Sequence, residues 1–154
     1  GAPGNRQKEH ANVVESAIKA GVSYIAYTSF AEADKATSPL AEDHLFTERL
    51  IEKAGISHTF LRNNWYLENE LPLVEAAMNS GKFVYAAGNG KTGWAMKREY
   101  AEVAAKALLG ADYPAILELS GKPVNYNTLA NALKKATGKE FEVIRSDDSG
   151  FINH

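Results

Sequence analysis

Residues 21 to 30 read GVSYIAYTSF, a run rich in β-branched and aromatic residues that closes on the hydroxyl pair Thr28 and Ser29. Its nearly unbroken apolar character predicts a parallel strand over residues 22 to 28, buried on both faces. Upstream, residues 7 to 20 (QKEHANVVESAIKA) carry Ala11, Val14, Ala17 and Ile18 at helical spacing, and Gly21 supplies the stop. Downstream, a polar loop leads to Ser38 and Pro39, an N-cap and a favoured first helical residue. The helix they open runs to about Ala54, with Leu45, Phe46, Leu50 and Ile51 as its predicted inner face. Gly55 ends it, and ISHTFLR at 56 to 62 reads as the next strand. Helix, glycine and strand, twice over, form a βαβ series around a parallel sheet.

Beyond Arg62 the pattern loosens. NNWYLENELP is a loop with a short helical turn, and LVEAAMNSG at 73 to 81 is a short helix. KFVYAAGNGKTGWA holds the Asn-Gly signal of a tight turn between extended pieces. Residues 98 to 109 form an amphipathic helix through Tyr100, Val103, Ala104, Ala107 and Leu108. AILELS is a short strand, the helix up to Gly138 is capped at Asn125, and EFEVIR is a last strand.

At 154 residues the chain reads as one domain, able to bury roughly 70% of its unfolded surface. Its 45% hydrophobic and 23% charged content is that of a globular protein. A net charge of −2 offers no basic field for nucleic acid or an anionic membrane. The absence of cysteine excludes disulfides and thiolate metal sites. No apolar run approaches the ~18 residues of a membrane span, and no signal peptide opens the chain, so a cytoplasmic location is expected. The chain starts at Gly1 and ends in DDSGFINH, which closes no element. A piece of a longer protein is the expectation.

Parallel α/β sheets bind ligands beyond the carboxyl ends of their strands. Two such ends are legible: Tyr27, Thr28, Ser29 and Phe30, and then Arg62, Asn63, Asn64, Trp65 and Tyr66. They are the candidate site. In the alternative, Ser29 and Asn63 cap loops while Trp65 and Tyr66 pack the loop down. His10, His58 and His154 lack paired-ligand spacing, and no metal is expected. GNGKTG at 88 to 93 is the one dense glycine cluster, and it does not open a helix of the phosphate-binding kind. It reads as turn chemistry.

The runs NVVESAIKAGVSYIAYTS, TFLRNNWYLEN and AAGNGKTGWAMKREYAEVAAKAL follow one another at the intervals of a known family. The chain resembles the NmrA-like atypical short-chain dehydrogenases, in particular their NAD(P)H:quinone oxidoreductase branch, over residues 5 to about 145. The resemblance implies a partial doubly wound, Rossmann-like parallel sheet, without its first four strands, plus a small substrate-domain portion. Residues 1–154 then form one truncated domain, with core elements in 5–80 and 98–120 and a substrate wall in 81–97 and 121–154.

By the same resemblance Thr28, Ser29, Phe30, Asn63, Asn64 and Trp65 bind cofactor, while Tyr66, Asn69, Ala87, Gly88 and His44 face substrate. Typical relatives carry Tyr-x-x-x-Lys on the helix after this strand. Here that frame reads His44 to Glu48 and lacks both groups, so no catalytic residue is assigned. His44 stands as a proton donor or as a helix histidine with a local hydrogen bond. Glu99 occupies a place where many relatives have Asp.

The implied cofactor is NADP or NAD in a longer protein, with none bound by this chain alone. The Gly-rich turn that grips the pyrophosphate belongs to the family's first strand. The implied substrate is a quinone-like small molecule, and the chain by itself is expected to be inactive. A non-catalytic, NAD(P)-sensing regulatory protein of the NmrA type is the alternative. The edge left at 22 to 28 also predicts a homodimer.

Overall fold

The computed structural model describes residues 2 to 88 and 90 to 146, so Asn89 of the Asn-Gly turn and His154 lie outside the described residues. In chain order the elements are α1 (Arg6–Lys19), β1 (Tyr24–Phe30), α2 (Pro39–Lys53), β2 (Ser57–Asn63), a 3-10 turn (Leu67–Glu70), α3 (Leu71–Ser80) and β3 (Lys82–Tyr85). There follow β4 (Lys91–Thr92), α4 (Lys97–Leu108), β5 (Ile116–Leu119), β6 (Val124–Asn125), α5 (Tyr126–Thr137) and β7 (Glu142–Arg145). Two compact units result: Gly1–Asn64 with Arg98–Leu119, and Trp65–Lys97 with Ser120–His154. Residues 65 to 80 group with the second unit.

The first unit is built on a parallel sheet of order β1-β2-β5. β1 runs beside β2 in a register from Tyr24↔Ser57 to Phe30↔Asn63, and β2 beside β5 from Phe60↔Ile116 to Asn63↔Leu119. The central β2 is buried from Thr59 to Asn63. β1 is half-buried from Tyr24 to Tyr27 and exposed at Thr28, which corrects the expectation of burial on both faces. The reason is its position, because among the described residues β1 has a strand neighbour on one side only. It also lies two residues later than predicted, so Ser29 and Phe30 are inside the strand as well. Val14, Ile51 and Phe60 form the core, with Ile25, Tyr27 and Leu50 packed on it. Each such side chain contributes about 1.5–3 kcal/mol when fully buried.

Ser38 caps α2, its side chain accepting from the Ala41 amide at 3.2 Å. The inner face of this helix differs from the predicted one. Ala41, Thr47, Glu48 and Ile51 are buried, while Leu45 and Leu50 are half-buried and Phe46 is exposed. A charged partner in β2 draws Glu48 inward, as described below. In α4, Tyr100 and Ala107 are buried as expected, but Leu108 is exposed in the last turn before Gly110.

In the second unit β3 and β7 pair in parallel, from Lys82↔Glu142 to Tyr85↔Arg145, and β4 pairs antiparallel with β6. The extended pieces around the Asn-Gly turn therefore find partners elsewhere rather than each other. Ala77, Phe83, Tyr85, Ala130 and Phe141 make the core, joined by Leu73, Tyr126, Leu129, Leu133 and Val143. Asn125 caps α5 through the Thr128 amide at 2.8 Å. The Gly121 amide donates to the Gly93 carbonyl at 3.1 Å, and a Cβ at Gly121 would run into the Trp94 carbonyl oxygen. Only glycine fits so close an approach of two backbones.

Candidate functional site

The parallel register sets Phe30 beside Asn63 at the carboxyl end of the first unit's sheet. The Ala31 amide donates to the Asn63 carbonyl at 3.1 Å, and the Asn64 amide to the Leu119 carbonyl at 2.9 Å. Thr28, Ser29, Phe30, Asn63 and Asn64 thus gather at one sheet end. Thr28 is exposed, while Ser29 and Asn63 are buried. The Ser29 hydroxyl is committed inside the protein, donating to Glu48 Oε2 at 2.5 Å.

Beneath this end lies an ionic network that the sequence reading missed. Arg62 donates to both Glu48 oxygens, through Nε at 3.1 Å and Nη2 at 2.7 Å. Its Nη1 reaches Asp34 at 2.8 Å and Glu118 at 3.2 Å. The Glu118 carboxylate in turn accepts the Glu32 amide at 3.1 and 3.2 Å, where Glu32 is left-handed with φ 48°. Arg62 therefore ties the loop after β1 to β2, β5 and α2. The Glu48 carboxylate raises the Arg62 guanidinium far above its ordinary range, keeping it charged. Three carboxylates surround this one cation, leaving an acidic surplus. An arginine inside the apolar run TFLRN was the available signal, since a buried cation needs a carboxylate.

His44 sits on α2 with its ring stacked on Phe30, centroids 6.1 Å apart and planes 14° apart. Its Nδ1 is 2.6 Å from the Tyr27 hydroxyl. His10 Nδ1 lies 2.9 Å from the Thr47 hydroxyl and 3.4 Å from that of Tyr27. Burial pulls both imidazoles below their ordinary range and pushes the Tyr27 phenol up to about 12. His44 is thus held by a local hydrogen bond. Beside the group, His10, Val13, Ile25, Tyr27 and Ile51 help line an apolar cavity of about 360 Å³.

The second unit carries the other candidates. Trp65 is 40% exposed, and its indole N–H donates to Glu70 at 3.1 Å. Tyr66 forms an isolated bridge with Ala95, and the Asn69 amide donates to the Tyr66 carbonyl at 3.0 Å. Ala87 and Gly88 open a turn closed by the Gly90 amide on the Ala87 carbonyl at 3.0 Å. Gly88 has φ +59°, and a Cβ there would stand 3.1 Å from Arg145 Nη2. Glu68 takes the Lys97 amide at 2.8 and 3.2 Å, so the start of α4 is already capped.

GNGKTG leads into β4 rather than into a helix, and the acidic surplus around Arg62 opposes a phosphate. The pyrophosphate does not fit among the described residues. The uncharged set Thr28, Phe30, Asn63 and Asn64 does suit a neutral, planar carboxamide ring. Among the described residues no cluster of His, Asp or Glu suits a metal ion, and no helix is long and apolar enough to cross a membrane.

No protein-family model matches the chain. Quinone oxidoreductase 2 of Escherichia coli (strain K12) is 40% identical over 139 residues, which make up 89% of this chain and 49% of that protein. A crystal structure of the Escherichia coli NADPH-dependent quinone oxidoreductase complexed with NADPH matches with a TM-score of 0.88 at 38% identity, covering 97% of this chain and 54% of the other. The Citrobacter sp. triphenylmethane reductase complexed with NADP(H) matches with a TM-score of 0.78 at 32% identity, over 92% of this chain and 50% of the other. An NmrA-like family domain-containing oxidoreductase of Aspergillus flavus is 24% identical over 152 residues, or 96% of this chain and 49% of that protein. The chain spans about half the length of the curated relatives it matches. Its fold is that of Rossmann-like NAD(P)-binding reductases, and it resembles the C-terminal part of the NmrA-like, quinone oxidoreductase group.

Proposed function

We infer, from this chain's kinship with the NmrA-like quinone oxidoreductases, that it supplies the nicotinamide side and the substrate wall of an NAD(P)H-dependent quinone oxidoreductase-like protein. The observation that carries this reading is the in-register pairing of Phe30 with Asn63, which sets two polar strand ends together where parallel sheets bind ligands. Thr28, Phe30, Asn63, Asn64 and Trp65 are the groups proposed toward the cofactor. Ser29 acts through Glu48 rather than by direct contact. Tyr66, Asn69, Ala87 and Gly88 are proposed toward the substrate.

When bound, the nicotinamide supplies the hydride that reduces a quinone to its hydroquinone. The protein's share is to hold the ring and exclude water from it. No side chain here is assigned as the proton donor. His44 Nδ1 is engaged with Tyr27, and quinone oxygens can take protons from solvent. Relatives at 40% and 38% identity are described as quinone oxidoreductases, the latter with NADPH, which favours NADPH and a quinone-like substrate.

Two further proposals follow. The chain alone binds dinucleotide weakly and turns over no quinone, because its described residues offer no pyrophosphate cradle. The edge of β1, which has no strand partner among the described residues, supports a homodimer.

Calorimetric titration with NADPH and NADH, on this chain and on a protein of the relatives' full length, is the test. Micromolar binding together with quinone reduction by the longer protein is expected. Tight binding without turnover would instead favour a regulatory dinucleotide sensor.

A further inference from the structure

Three donors converge on a single oxygen in the second unit. The indole N–H of Trp65 and that of Trp94 each reach Glu70 Oε1 at 3.1 Å, and the Tyr126 hydroxyl donates to the same atom at 2.9 Å. Glu70 is 6% exposed and Trp94 8%, whereas Trp65 keeps 40% of its surface open. The hub is therefore buried at its base and leaves part of Trp65 exposed.

That base is anchored in the unit's aromatic core. Trp94 meets Tyr126 edge-on at 5.0 Å and 85°, and Tyr126 stacks on Tyr85 at 5.6 Å and 16°. Tyr85 belongs to the core cluster with Phe83 and Phe141. The 3-10 turn Leu67–Glu70 brings the carboxylate back under Trp65, five residues upstream. An indole N–H is donor-only and a carboxylate acceptor-only, so the contact fixes which edge of the Trp65 ring points inward. A half-exposed tryptophan without such a tether would sample several rotamers.

We propose that Glu70 is a positioning residue that locks Trp65 as a fixed stacking platform for the planar ring of a quinone-like substrate or a nicotinamide. The proposal rests on the reading of Trp65 as a site residue, and deepens it by naming what holds that residue in place. Stacking on a tryptophan face is strong only when the face is already oriented, since ordering it on binding costs affinity.

The test separates the tether from the site. Trp65 and Trp94 are the two tryptophans of the chain, so Trp94→Phe leaves Trp65 as the single indole reporter. Its fluorescence anisotropy should decay with the tumbling of the whole protein. Adding Glu70→Gln should introduce a fast local component, because a neutral amide oxygen accepts far more weakly than a carboxylate and the adjacent NH₂ repels donors. The Tyr126 phenol, pushed up to about 12 by burial and by Glu70, should ionise at lower pH in the same variant, read by alkaline absorbance titration. Should Glu70→Gln not fold by circular dichroism, Glu70→Asp, which withdraws the oxygen by one methylene, is read in the same way. Unchanged Trp65 mobility in a folded variant overturns the proposal.

In a protein of the relatives' full length, Glu70→Gln should raise the KM for NADPH or for a naphthoquinone about threefold to tenfold, with kcat changed less. A freed ring with both KM values unchanged overturns the platform role. Unchanged kinetics after Trp65→Ala would instead remove Trp65 from the site, a failure of the functional reading and not of the tether.

Discussion

Arg62 and Glu48 form a buried two-pronged pair, Nε to Oε2 at 3.1 Å and Nη2 to Oε1 at 2.7 Å, with side chains 7% and 1% exposed. Removing one member leaves the other charge buried without its counterion. Arg62→Met should cost about 3–5 kcal/mol. At roughly 2–4 °C per kcal/mol for a chain of this size, the melting temperature should fall by about 10 °C. Denaturant unfolding measures this, and a loss under about 1 kcal/mol would show that Glu48, with Ser29 still donating to it, tolerates the loss of its counterion.

Stability should decline as pH falls below about 6.5. His10 and His44 are lowered by burial, so the unfolded chain binds protons on them that the folded chain does not. Stability rises with pH wherever the unfolded state binds more protons. The contribution is thus complete above 6.5 and is lost as pH drops through the lowered folded values. Asp43, lowered by its bonds to Arg6 and Gln7, adds loss only in the carboxylate range. Melting curves between pH 7.5 and 5 should show the slope, and His44→Gln should flatten it. An equal slope in the variant would assign the effect elsewhere.

Gly121→Ala should be poorly tolerated, because its methyl would meet the Trp94 carbonyl oxygen. Overpacking of this kind costs about 1–3 kcal/mol, and the Gly121 to Gly93 bond of 3.1 Å would be strained as well. Gly110→Ala is the control: it has φ +93° but nothing within 4 Å of a Cβ, so only backbone strain acts there. Thermal unfolding of both variants checks the order.

The purified chain should associate through β1. This strand lies at one end of the sheet order, is half-buried from Tyr24 to Tyr27, and carries no proline or lysine to blunt its edge. Val13, Ile18 and Val22 add exposed apolar surface from α1 and the strand entry. Light scattering coupled to size exclusion should report a dimer. A monomer at tens of micromolar would sink the proposal.

The βαβ frame at 21 to 63 was legible because each helix stops at a glycine and each strand is dense in apolar residues. What escaped was long-range. β3 and β4 flank one turn, yet each pairs with a segment far downstream, and nothing local in KFVY or KT announces the partner. The inner face of α2 was misread because hydrophobic periodicity has no term for a carboxylate drawn inward by an arginine on another element. Leu108 was placed inside because the helical pattern continues after its neighbours have run out. The strand-end rule placed Thr28, Ser29 and Asn63 near one sheet end, but not the engagement of Ser29 with Glu48 or the tether beneath Trp65. The first depends on a contact between two elements, and the second on a 3-10 turn whose carboxylate is shared with Trp94 and Tyr126 far along the chain.

His44 and Glu48 stand four apart on α2, the spacing at which typical short-chain dehydrogenases carry tyrosine and lysine. The pairing of Glu48 with Arg62 constrains any mutational path between the two frames. Glu48→Lys would bury a second cation against the guanidinium, so it can be accepted only after, or together with, a charge reversal or neutralisation at 62. Ser29, Asp34 and Glu118 share that guanidinium or its carboxylate partner, and would feel the same change. A tyrosine and a lysine at positions 44 and 48 therefore require a coupled change at 62 rather than two independent steps. A library that varies positions 44 and 48 alone should recover almost no folded members carrying lysine at 48, whereas one that also varies 62 should.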